Sequence, residues 1–262
     1  MLITAPKGKR SSTEGIASVG TVSHGGVPDA PAVGRDGTAP SNLLLPGTGI
    51  RSSDLVPVPL RIGDVLARQG DTPTYVYFLD AGLVSLQTAT ADGRIVEVAI
   101  LGAEGIVSAV ACLGLDALPY DALVTIPGEA RRMRADRLCE LLGSRATPLT
   151  GTLLKYLQYE VCQVSQSAAC GRFHTAGQRL AKWLLLASSR LRARTLPVTH
   201  ASIAQALGGP RHEISRELSR LEEQGGIVRG RSAIRIADLD VLARRSCECH
   251  QRVQAAYRRL LE

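Results

Sequence analysis

Between Thr199 and Glu223 the chain reads THASIAQALGGPRHEISRELSRLEE, and its punctuation leaves few ways to fold. Gly208 and Gly209 break one helical pattern, and Pro210 opens another with its fixed φ. Thr199 is placed as the N-cap of the first helix. Two short helices joined by so brief a turn must cross at an angle and pack through one shared apolar stripe. On the second helix, with Arg211 at zero, Ser215, Ser219, His212 and Arg216 fall at about 40°, 80°, 100° and 140°, whereas Leu221, Ile214 and Leu218 fall at about 280°, 300° and 340°. The polar arc therefore holds only hydrogen-bond donors, two of them arginines, and no large apolar side chain.

The hairpin pattern IVRGRSAIRI that follows turns about Gly230, Arg231 and Ser232. Helix, glycine turn, helix and basic hairpin together form the order of a winged helix-turn-helix, whose second helix enters a DNA major groove. Arg211 and Arg216 are assigned to base edges, because a guanidinium fork matches O6 and N7 of guanine. His212, Ser215, Ser219 and Thr199 stand as further DNA contacts to base or phosphate, and Arg229, Arg231 and Arg235 on the hairpin as phosphate contacts. Charge agrees with this placement. Residues 1–170 carry 14 Lys/Arg against 16 Asp/Glu, and residues 171–262 carry 17 against 8, so the basic surplus sits at one end and suits double-stranded DNA.

Upstream the texture differs. Residues 1–46, rich in Gly, Pro, Ser, Thr and Ala, read as a disordered tail without a secretory leader. From 47 to 147 short apolar runs alternate with turn residues, and LVSLQTATADGRIVEVAI reads as a hairpin with Asp92-Gly93 at its tip. An antiparallel sandwich or barrel follows, closed by the short helix ADRLCELL. After Pro148, Leu149, Leu153, Leu157, Val161, Val164 and Ala168 recur at three- and four-residue spacing, which gives one long amphipathic helix over 148–173. It either packs on its own sheet or forms a seam with a second copy. A long helix between two domains has little of its own chain to cover it, which favours the homodimer. The DNA-binding unit spans 174–240, and a final helix runs from about Asp238, with 241–262 as the C-terminal segment.

In their order and spacing, RIGDVLARQGD, YFLDAGLVSL, the GAEG at 102–105, HTAGQRLAKWLL and THASIAQALGGPRHEISRELSRLEEQGGIV resemble the Crp/Fnr superfamily of bacterial transcription regulators over residues 48–262. The resemblance implies an α+β chain: a jelly-roll-like antiparallel β-roll of the cyclic-nucleotide-binding kind, a dimerisation helix and a winged helix-turn-helix on a palindromic operator. It implies RNA polymerase and a small effector as partners. Arg211 and Arg216 match base-reading positions of the family, Ser215 before Arg216 is a frequent pairing there, and His212 stands where a glutamate is common. Family members that bind cyclic nucleotides use an arginine on the phosphate, yet residues 109–125 hold no Arg or Lys. A buried phosphate without a cation is costly, so cyclic AMP is not expected to bind in the usual way. Oxygen-sensing members hold an iron–sulfur cluster on N-terminal cysteines, and none precedes Cys112 here.

No enzyme, cofactor or membrane segment is expected. The five histidines lie outside 48–148, which argues against the rival reading of a β-barrel metal enzyme. A DNA-architectural protein without effector response is the other alternative. Six scattered cysteines suit a reducing cytoplasm. Cys247 and Cys249 point about 200° apart on a continuous helix, so no metal site is expected there. Cys162, Cys170, Cys247 and Cys249 remain open as redox-active thiols.

Overall fold

The computed structural model describes residues 42–113, 117–143 and 147–262. The tail expected over 1–46 lies outside these residues up to position 41. Its last part is packed: Asn42 is buried, its side-chain amide donates to the carbonyls of Leu79 and Gly105, and its backbone N–H donates to Asp80. Leu44 and Leu45 follow it into the core, so the sheet begins its packing before the apolar pattern of the strands does.

The sheet comprises β1 (Val56–Leu60), β2 (Val65–Ala67), β3 (Tyr75–Ala89), β4 (Ile95–Leu101), β5 (Ile106–Val107) and β6 (Asp121–Arg134). All pairings are antiparallel, in the order β1-β6-β3-β4, with β2 on β6 and β5 on β3. The two long strands shift register between Leu79 and Val84, and such bulges let a sheet curl into a roll. Ala122, Val124 and Ile126 alternate inward along β6. The β3–β4 hairpin turns at Gly93, whose N–H donates to the Thr90 carbonyl.

Helix α1 (Ala135–Leu142) leads to α2 (Pro148–Phe173), which is capped by the Thr147 hydroxyl. The two faces of α2 have different fates. Leu149, Leu153, Tyr156, Tyr159, Glu160, Gln163 and Cys170 are buried against the same chain, so Leu149 and Leu153 do not belong to a free seam as the spacing suggested. The outward stripe is Leu154, Val161, Val164 and Ala168, with Leu154 59% and Val161 64% exposed, and Leu157 lies half-buried at its edge, packed in part on the core. Helix α3 (Ala176–Leu191) is buried around nearly its whole girth from Leu180 to Ser188, the signature of a central helix. Strand β7 (Thr195–Leu196), α4 (His200–Leu207), α5 (Arg211–Glu223), β8 (Ile227–Arg229) and β9 (Ile234–Ile236) complete the reading head, with sheet order β7-β9-β8. The last helix is not continuous. Helix α6 (Leu239–Arg245) stops at Ser246, which is extended, and α7 (Cys249–Leu261) starts afresh.

The β-roll and the reading head meet at two carboxylates, one buried and one half-buried. Glu104 of the GAEG turn pairs with Arg190 of α3 at 2.9 Å, with both side chains essentially inaccessible. Gly102 has to be glycine here, since a Cβ would sit 2.7 Å from the Arg190 carbonyl. Glu97 of β4 accepts from the Trp183 indole at 2.7 Å and the Ser85 hydroxyl at 2.6 Å. Burial pushes its pKa up from 4.5 to about 7, with those two hydrogen bonds and Lys182 opposing. Glu160 on α2, buried beside Tyr156 and Tyr120, is raised to about 7 for the same first reason.

Two outcomes follow. Arg190→Ala strands a buried carboxylate and is expected to cost about 3–5 kcal/mol in urea unfolding, whereas Glu104→Gln combined with Arg190→Met should recover most of it. For Glu97, the folded chain holds a proton between its ordinary and raised pKa that the unfolded chain has lost, so stability falls as pH rises through about 4.5 to 7. Glu97→Gln should flatten that slope by at most about 1.4 kcal/mol per pH unit, read from unfolding curves across the window.

Candidate nucleic-acid interface

The turn between α4 and α5 sets the site. Gly208 takes the left-handed conformation at φ +62 and its N–H closes α4, after which Pro210 caps α5. Ile203, Ala204, Ala206 and Leu207 on α4 bury with Ile214, Leu218 and Leu221 on α5, so the opposite face of α5 points out. Arg179 of α3 donates to the Leu207 carbonyl and fixes the end of α4. Arg211, His212 and Arg216 are exposed at the N-terminal end of α5, and the side chain of none of them has a hydrogen bond or ion pair among the described residues. That end of a helix is the one that reaches base edges in a major groove.

Ser215, Ser219 and Thr199, also assigned from the sequence, are already engaged within the chain. The Ser215 hydroxyl lies 3.1 Å from His200 Nδ1, a pairing that ties the second helix to the first. Burial lowers the His200 pKa, Arg229 and Arg211 add to the effect, and Glu222 opposes it. Ser219 donates back to the Ser215 carbonyl and accepts from Arg229. Thr199 caps α4 through a reciprocal pair with Ser202.

Arg229 is engaged within the chain as well. Its guanidinium and its N–H both bind Glu222 at the end of α5, at 2.6 and 2.9 Å, and this locks the hairpin to the helix. Arg231 and Arg235, by contrast, are exposed on the hairpin. Four residues the sequence reading did not single out thus shape the site: His200, Glu222, Arg179 and Ser202. Glu222 carried a legible signal, an acid one helix end away from a basic strand. His200 had none, because only the crossing angle brings it to Ser215.

The turn also touches the sheet. Gly208 packs on Val96 of β4, with a Cβ at that position 3.6 Å from the valine side chain. The β-roll therefore borders the segment that leads into α5.

Residues 57–145 match the profile of the cyclic nucleotide-binding domain, and residues 178–245 match that of the Crp-like helix-turn-helix domain. The chain is 26% identical over 194 residues to the transcriptional activator protein FnrA of Stutzerimonas stutzeri, covering 69% of this chain and 76% of that protein. FixK2 from Bradyrhizobium japonicum shares the fold with a TM-score of 0.65 at 20% identity, over 74% of this chain and 98% of that one. The c-di-GMP responsive global regulator CLP of Xanthomonas campestris superposes with a TM-score of 0.58 at 17% identity, over 71% and 95% of the two chains. Among the described residues no helix is long and apolar enough to cross a membrane. With a cyclic-nucleotide-binding-like β-roll, a long helix and a Crp-like reading head in this order, the chain belongs to the Crp/Fnr family of DNA-binding transcription regulators.

Proposed function

We propose that the chain works as a homodimer that reads a palindromic operator, with Arg211 and Arg216 on base edges and His212 beside them. The observation that carries this reading is the trio of unpartnered donors at the N-terminal end of α5. Arg231 and Arg235 contact phosphates, while Ser215, Ser219, Thr199 and Arg229 hold the helix and hairpin in position and touch DNA only through atoms left over from those bonds. His212 in the reading row offers a donor or, when neutral, an acceptor, and so shifts base preference away from cytosine's amino group as sole partner.

The dimer reading rests on the outward stripe of α2. Leu154, Leu157, Val161, Val164 and Ala168 follow a 3-4-3-4 spacing, the a/d pattern of a two-stranded coiled coil, and their flanks carry little charge. A second copy would place the two α5 helices in successive major grooves about one turn apart. A small effector acts through the β-roll, and RNA polymerase is the partner downstream.

The sheet-facing side of α2 suits something other than cyclic AMP. Tyr120, Tyr156, Glu160 and Ser108 are buried together there, and an acid in that position opposes a phosphate. Contacts of β4 and the GAEG turn with α3 and α4 supply the route by which a change at the roll reaches the reading head.

Arg216→Ala is expected to relax sequence preference at one operator position and cost about 1–3 kcal/mol, whereas Arg231→Ala should weaken all DNA alike and flatten the salt dependence. Both are read by titration of specific and random duplexes. Equal affinity of wild type for the two duplexes would favour an architectural protein and sink the operator reading. For the seam, Val161→Glu should turn a dimer at micromolar concentration into a monomer in sedimentation, and a wild-type chain already monomeric there would remove the dimer.

A further inference from the structure

Cys170 and His174 stand four residues apart at the C-terminal end of α2, and that spacing puts them on one face. Opposite them lie Cys247 and Cys249. On an unbroken helix these two would diverge, but Ser246 is extended and α7 begins only at Cys249, so both thiols turn toward α2. The sulfur of Cys170 is 3.6 Å from that of Cys247, and the sulfur of Cys249 is 3.6 Å from Nδ1 of His174. All four ligand atoms fall within 4.8 Å of one another. The three cysteines are buried and His174 is half-buried.

These distances have a chemical meaning. A tetrahedron with metal–sulfur bonds of about 2.3 Å and a metal–nitrogen bond of about 2.0–2.1 Å has edges of roughly 3.5–3.8 Å. Two opposite edges are at that length, and the remaining four need to close by about 1.3 Å at most. His174 is also held as a ligand has to be, since its Nε2 lies 3.3 Å from the Glu248 carboxylate, which leaves Nδ1 facing the sulfurs. Lys182, buried on α3, acts on Cys170 and Cys249 through its charge, and it offsets the single negative charge that three thiolates and one divalent ion would leave. A Cys170–Cys247 disulfide alone would explain neither Cys249 nor the Glu248–His174 contact.

We propose that Cys170, His174, Cys247 and Cys249 bind one zinc ion in a closed tetrahedral Cys3His site. Zinc is the divalent ion that three thiolates and an imidazole in this geometry favour, and with all four positions filled by protein the site is structural. Binding replaces the protons of the thiols, which pass to solvent. The ion ties the end of α2 to the segment between α6 and α7, beside the joint where α2 hands over to α3. The inference does not rest on the operator or the dimer.

The test uses the full chain, purified under reductant, stripped by chelation and titrated with Zn2+ or Co2+. About one ion per chain is expected, and Co2+ should give the intense visible bands of a tetrahedral site together with thiolate charge-transfer absorption. Cys170→Ser and Cys247→Ser should weaken binding by at least about 100-fold, and Glu248→Gln by about 10-fold. Cys139→Ser and Cys162→Ser should bind as wild type does. Should ligand variants fail to fold, His174→Cys supplies a further check, since it should keep tetrahedral cobalt with a stronger charge-transfer band. A folded, reduced wild-type chain that takes up neither ion, a six-coordinate cobalt spectrum, or a Cys170–Cys247 disulfide persisting under reductant would each overturn the proposal.

Discussion

One guanidinium sits where the two halves of this protein meet. Arg190 leaves α3, meets Glu104 of the GAEG turn, and lies 3.9 Å above the ring of Tyr257 from α7 and 5.5 Å from that of Tyr159 on α2. Tyr159 in turn donates to the same Glu104 carboxylate at 3.1 Å. Sheet, long helix, reading head and C-terminal helix thus converge on a single buried charge pair. Such a pair is expensive to desolvate, and here Glu104 Oε2 and Arg190 Nη2 have no further protein partner. Its worth lies less in net stability than in specifying one arrangement, because any other packing would leave both charges buried alone.

The second contact at the junction has a different character. Glu97 sits between Ser85, Trp183 and Lys182 with a pKa near neutrality, so it is a proton-bearing group where Glu104 is an ion-paired one. Its neighbour Val96 carries the turn that leads into α5. A shift of β4 therefore reaches the DNA-reading helix through one layer of contact. The division of α2 into a buried face and an exposed stripe serves the same economy. One side of the helix feels the roll, and the other is left for a second chain.

The parts legible from the sequence were those fixed by local rules. Gly208, Gly209 and Pro210 set the turn, the Asp92-Gly93 tip set the hairpin, and the apolar period set α2, since each depends on residues a few positions apart. The failures have one cause, contact between distant residues. Leu149 and Leu153 share a period with Leu157 and Val161, and only the position of the sheet sends them inward. Glu104 and Arg190, far apart in the chain, gave no hint of each other, nor did Ser215 of His200. The break at Ser246 lacks the glycine or proline that announces most helix ends, so Cys247 and Cys249 read as divergent when the fold turns them together.

Helix α7 makes these separate features mechanically dependent. At its first residue, Cys249 faces His174 at the end of α2. Two turns on, about 12 Å along the axis, Tyr257 covers Arg190 of α3. One rigid element is thereby seated on α2 at one end and on α3 at the other, across the joint formed by His174 and Thr175. A rotation of α3 relative to α2 has to carry α7 with it, or else open the thiol cluster or uncover the Glu104–Arg190 pair. Of the two, the pair is the costlier to disturb, because parting Glu104 from Arg190 inside the core leaves each charge buried without its partner. The thiol cluster is therefore where the joint yields when it holds no ion, and where it stiffens when it does.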